Sequence, residues 1–146
     1  MRELPRQLTV EELAELFEGR TRFVELLAGL QDPLGRALDV MRGLSVEEKR
    51  EVLAAHPAIG QRAGLSARSA GEQGAGAGPE VRHELARLNA EYEERHGFRF
   101  VVFVNRRPNA EILDVLRSRI GNPTDEELET ATGELVAIAV DRWRNG

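Results

Sequence analysis

The chain has 146 residues, 41% of them apolar and 31% charged, with a net charge of −5. That length and balance predict a single domain, residues 1–146, with one core, and the acidic excess argues against nucleic acid as a partner. No cysteine and three histidines exclude disulfides, thiol chemistry and thiolate zinc sites and disfavour a histidine-rich metal site, although carboxylate sites stay possible.

No apolar run approaches the roughly 20 residues that cross a bilayer. Met1-Arg2-Glu3-Leu4-Pro5 has no apolar region behind its charge, unlike a secretory signal. The chain finishes Arg144-Asn145-Gly146, without a peroxisomal address. A cytoplasmic protein with no membrane partner is expected.

Three helix starts carry a capping box, in which a hydroxyl and a glutamate satisfy each other's end of the first turn. They begin at Thr9, Ser45 and Thr124, with Glu12, Glu48 and Glu127 three residues on. The first leads into Leu13, Leu16 and Phe17. A second apolar segment runs from Phe23 to Leu30. Asp32-Pro33 reads as cap and first helical position for Leu34 to Met41, with Gly43 past its end. The helix from Val46 runs to His56, where Pro57 stops it.

Residues 60–78 are rich in glycine, alanine and serine. They read either as a flexible surface loop or as a binding loop with a short helix over 66–73, whose glycines let backbone approach a ligand. Pro79 opens a helix over 80–95 with the stripe Val81, Leu85, Leu88 and Tyr92. Phe98 to Val104 is β-branched and aromatic, the one strand-like stretch, and one strand makes no sheet. It is expected as a buried extended connector or as an edge for another chain. A helix through Ile112, Val115, Leu116 and Ile120 ends at Gly121-Asn122-Pro123, and Thr124 starts the last one. The predicted fold is all-α: several short and two longer helices with one extended segment near 98–104.

Two positions stand out for chemistry. On the last helix Leu128, Ala131, Leu135 and Ile138 step by three, four and three, and the next residue on that face is Arg142. An inward arginine is expensive to bury without an anion, although so near the chain end it can also reach water. His56 closes an apolar-periodic helix before a proline that fixes its backbone. A helix C-terminus favours its imidazolium by about 0.3–1 kcal/mol, which suits either a cap or a proton carrier. Glu72-Gln73 reads as solvated or as a carboxylate and amide set to orient an imidazole. His83 and His96 are expected at the surface.

Taken in order, His56-Pro57-x-Ile59-Gly60, Ser69-x-x-Glu72-Gln73, Leu88-Asn89-x-x-Tyr92, Gly97-Phe98-x-Phe100-Val101-Val102, Arg119-x-x-Asn122, Glu127 and Ile138-Ala139-x-x-Arg142 resemble the motifs of the OHCU decarboxylase family. Those enzymes convert 2-oxo-4-hydroxy-4-carboxy-5-ureidoimidazoline (OHCU) to (S)-allantoin, the last step from urate. The resemblance runs from the first helix to the last. It implies His56 and Glu72 as catalytic residues. It implies substrate contacts at Ser69, Gln73 and Arg142, a wall shaped by Pro57, and a pocket lined by the Phe100, Val101 and Val102 backbone. It also implies an all-α fold, no cofactor, and in many members a homodimer. The family often has aspartate and leucine after His-Pro, where this chain has Ala58 and Ile59, and proline where it has Arg99. Two other readings stay open: a non-catalytic helical module binding a partner through 98–104 or a helix face, and an enzyme for a related ureido or imidazoline compound.

Overall fold

Seven α-helices and no strand make up the regular structure of the computed structural model, which describes residues 3–56 and 79–145. They are α1 (Val10–Phe17), α2 (Arg22–Ala28), α3 (Pro33–Arg42), α4 (Val46–Ala55), α5 (Pro79–His96), α6 (Asn109–Ile120) and α7 (Thr124–Asn145). The all-α expectation holds, with five shorter helices and two long ones of 18 and 22 residues. Both readings of residues 60–78, a surface loop or a binding loop with a short helix over 66–73, fall outside the described residues. None of the described helices is long and apolar enough to cross a membrane.

The chain divides into two compact units, residues 1–56 with 132–146 and residues 57–131. In the first, α2 packs against α1, α3 and α4. Its core holds Leu13, Phe17, Phe23, Val24, Leu27, Ala37, Val52 and Leu53, and the later turns of α7 add Leu135, Ile138 and Ala139. Phe17 and Phe23 meet edge to face at 5.0 Å, the arrangement that aromatic quadrupoles favour. Two of the expected capping boxes are formed, Thr9 with Glu12 and Ser45 with Glu48. Asp32 precedes Pro33 as expected, but its backbone is left-handed (φ 53°) and its side chain makes no cap bond.

In the second unit α5 packs against α6. Leu85, Leu88 and Tyr92 are buried as the stripe predicts, with Ile112 and Leu116 from α6 and Leu128 and Ala131 from the start of α7. Phe98 to Val104 joins α5 to α6 as a buried connector without a strand assignment. His96 departs from expectation: it is buried at 2% exposure. Its Nε2 donates to the Ile120 carbonyl at 3.0 Å and its Nδ1 meets the Thr124 hydroxyl at 2.8 Å. Both ring nitrogens are satisfied in this way, which makes burial affordable.

The third capping box is not formed, because its two side chains are engaged elsewhere. The Thr124 hydroxyl serves His96, and Glu127 turns toward Tyr92, Arg119 and Asn122.

Candidate functional site

His56 ends α4. Its backbone has left the helical region (φ −83°, ψ 138°), and its N–H donates to the Leu53 carbonyl at 3.2 Å. A residue preceding proline is pushed toward such extended angles, so the imidazole is carried past the helix end on a defined backbone. The side chain is half-buried. The rest of α4 is tied down beneath it. Ser45 and Glu48 cap its start, Val52 and Leu53 are fully buried, and the Glu51 carboxylate accepts from the Arg22 backbone N–H at 2.9 Å. Gly19 passes so close to the end of α4 that a Cβ added there would lie 2.9 Å from Ala55 Cβ.

Arg142 is buried at 2% exposure in the same unit. Its Nη1 donates to the Leu16 carbonyl at 2.8 Å and lies 3.1 Å from Glu18 Oε1. The anion demanded by an inward arginine is met at least in part by Glu18, and the orphan carbonyl at the end of α1 gains a donor. Glu18 itself is left-handed, with φ 66°.

Phe100, Val101 and Val102 lie in the second unit and are buried at 1%, 1% and 6% exposure. They are gripped by a polar network. Arg119 Nη1 donates to the Val101 carbonyl at 2.8 Å, and its Nε donates to Glu127 Oε1 at 2.9 Å. Its guanidinium carbon sits 4.7 Å over the Phe100 ring, a cation–π contact. The Tyr92 hydroxyl donates to Glu127 Oε1 at 2.5 Å, and Asn122 Nδ2 to Oε2 at 2.9 Å. Burial alone would raise the Glu127 carboxyl. The hydrogen bonds from Tyr92 and Asn122 and the charge of Arg119 outweigh it and hold that carboxyl below its ordinary value. Burial, reinforced by the bond to Glu127, pushes the Tyr92 phenol well up.

Pro57, Ser69, Glu72 and Gln73 lie outside the described residues. Among the described residues no group of three His, Cys, Asp or Glu could hold a metal ion. The sequence names Arg119 only as part of a motif and offers Glu127 as a motif residue and helix cap, with no place in a site for either. Their signal was available in the helical period: Arg119 follows Ile112 and Leu116 on one face, and Glu127 stands four residues before Ala131 on another.

The described residues make an all-α fold, with His56 and Arg142 in the first unit and Arg119 and Glu127 in the second, each placed by a helix end or an inward helical face. The family model described as OHCU decarboxylase matches residues 2–144, and the chain belongs to that family. A 2-oxo-4-hydroxy-4-carboxy-5-ureidoimidazoline decarboxylase of Halalkalicoccus jeotgali is 30% identical over 119 residues, covering 78% of this chain and 65% of that protein. One of Amia calva is 34% identical over 119 residues, covering 75% and 65%. The chain thus aligns with just under two thirds of the length of these relatives. A crystal structure of OHCU decarboxylase obtained in the presence of (S)-allantoin superposes with a TM-score of 0.74 at 25% identity, covering 90% of this chain and 94% of that one.

Proposed function

We propose that this protein decarboxylates OHCU to (S)-allantoin in urate breakdown, as a single catalytic domain in the cytoplasm, without a cofactor. Family membership over residues 2–144 is the observation that carries the reading. The substrate bears a carboxylate and a hydroxyl on one ring carbon. Breaking the bond to the carboxylate releases CO₂ and leaves its electron pair on that carbon, delocalised into the adjacent imine. The imine nitrogen takes up a proton, leaving an enol. Loss of the hydroxyl proton then turns the carbon that bore the carboxylate into the ring carbonyl, while a proton adds to one face of the adjacent ureido-bearing carbon, the former imine carbon, and sets the stereocentre there. The substrate supplies its own electron sink, so the protein has to bind an anion, stabilise developing charge and move a proton.

His56 is the acid–base group in this reading, supported by its defined backbone at the end of α4. Glu72 orients the imidazole or the substrate hydroxyl, and Ser69 and Gln73 hold the ureido group. Pro57 shapes the wall beside the histidine, and the backbone of Phe100, Val101 and Val102 meets the substrate. Arg142 binds anionic oxygen. Its guanidinium carries five N–H donors, and its Nη1 bonds to Leu16 and Glu18 hold its plane in a set orientation. A homodimer is the expected assembly.

Freshly generated OHCU tests the assignment. Its spontaneous decay gives racemic allantoin, so optical rotation develops only with a catalyst. Growth of the (S)-allantoin signal in proportion to protein supports the reading, and racemic product at the uncatalysed rate overturns it.

A further inference from the structure

A buried connector with no strand beside it among the described residues has no ladder to satisfy its carbonyls, which must still be paired. For Val101, Phe103 and Val104 guanidinium groups do that work. Arg107 donates through Nε to the Val104 carbonyl at 3.1 Å and through Nη2 to the Phe103 carbonyl at 2.7 Å. Arg119 holds two successive residues at once, the Val101 carbonyl by a hydrogen bond and the Phe100 ring beneath its plane. Its own orientation is fixed by Glu127, which Tyr92 and Asn122 fix in turn. The Tyr92 ring meets Phe100 edge to face at 5.3 Å. Phe100, Arg119, Glu127 and Tyr92 therefore form a closed ring of contacts around the base of the connector.

We propose that Arg119 is a positioning residue for substrate binding, its guanidinium setting the place of the Phe100–Val102 backbone. The inference rests on the decarboxylase reading, in which that backbone meets the substrate. Arg119 acts through the peptide it holds and contacts no reacting atom. A lysine keeps the charge opposite Glu127. It lacks the planar fork that reaches a carboxylate, a carbonyl and an aromatic face together.

Arg119→Lys is the first test, with OHCU turnover and amide hydrogen exchange at residues 100–102 measured on the same samples. The expected result is a KM raised about tenfold, the scale of one lost charge-assisted hydrogen bond, with kcat little changed, and faster exchange at 100–102 than in the wild type. A residue that served stability alone would lower the folded fraction and hence apparent kcat, leaving KM unaltered. Unchanged KM in folded Arg119→Lys overturns the proposal, as does unchanged exchange at 100–102. If that variant does not fold, the pair Arg119→Met with Glu127→Leu removes both buried charges together, a replacement that proteins often tolerate. The same two readouts then decide. Wild-type protein that yields no (S)-allantoin overturns the decarboxylase reading separately, and the exchange comparison still rules on the placement of the connector.

Discussion

Arg142, in the last turns of α7, holds Glu18, the residue that ends α1, with Nη1 3.1 Å from Oε1. Glu18 occupies the left-handed region at φ 66°, where glycine is at ease and other residues are not. Its carboxylate is thus presented to the arginine from a strained backbone. Two substitutions separate these features. Glu18→Ala and Glu18→Gly both remove the ion pair, but only glycine relieves the backbone. Chemical denaturation should find Glu18→Ala less stable than Glu18→Gly by about 1 kcal/mol.

Arg142→Ala leaves Glu18 facing its unit without the guanidinium. Breaking one side of a buried pair costs about 3–5 kcal/mol, so thermal unfolding should fall markedly. If Arg142 also binds anionic oxygen, kcat/KM for OHCU drops by more than the loss of folded protein accounts for. Activity normalised to the folded fraction, and equal to the wild type, would remove the binding role and leave Arg142 a structural residue.

His56→Ala should lower kcat by about 10²-fold or more, the scale of lost acid–base catalysis, with little change in melting temperature because the half-buried ring sits beyond the end of α4. Glu72→Ala should reduce turnover by a similar factor of about 10². A rate near that of the wild type in His56→Ala would end its assignment as proton carrier.

Much of this architecture is legible in periodicity. The face Leu128, Ala131, Leu135, Ile138 and Arg142 is buried throughout; the stripe aims the arginine inward, and of the two directions open to it near the helix end it takes the one that meets Leu16 and Glu18. Two capping boxes follow directly from their hydroxyl and glutamate. The third fails because Glu127 is drawn by a guanidinium, a phenol and an amide from elsewhere in its unit, and no local rule sees partners that distant. His96 was hidden for the same reason. Its carbonyl partner Ile120 lies 24 residues away, and nothing beside it in sequence announces that pairing. The catalytic assignments to His56 and Glu72 came from ordered motifs, since a single histidine before a proline serves as a helix cap equally well.

The Glu127 carboxyl gives a pH dependence with a definite sign. Its native pKa lies below the ordinary value, so the folded state binds its proton less readily than the unfolded chain. Its contribution to stability is complete above the unfolded glutamate value of about 4.3. It is lost as pH falls through the lower native value. Glu127→Gln should therefore be well below the wild type in unfolding free energy at pH 6 and approach it as pH falls below about 4. Denaturation curves across that range measure the gap. A constant difference would mean that the charged carboxylate adds nothing beyond its shape.

Gly19 offers a way to move His56 without touching it. A Cβ at residue 19 would fall 2.9 Å from Ala55 Cβ, closer than two such carbons can pack. Ala55 is the last residue of α4, and His56 follows it. The backbone at residue 19 does not lie in the positive-φ region, so alanine is opposed there by space and not by conformation. Gly19→Ala should destabilise the first unit by about 1–3 kcal/mol, the usual penalty of overpacking, and should lower kcat through displacement of the imidazole. The pair Gly19→Ala with Ala55→Gly restores the clearance by moving the methyl group to the other side of the contact. It should recover most of the lost turnover while keeping a small deficit from glycine in a helix, about 1 kcal/mol. Recovery of stability without recovery of kcat would show that the close approach of Gly19 to Ala55 serves packing and does not place His56.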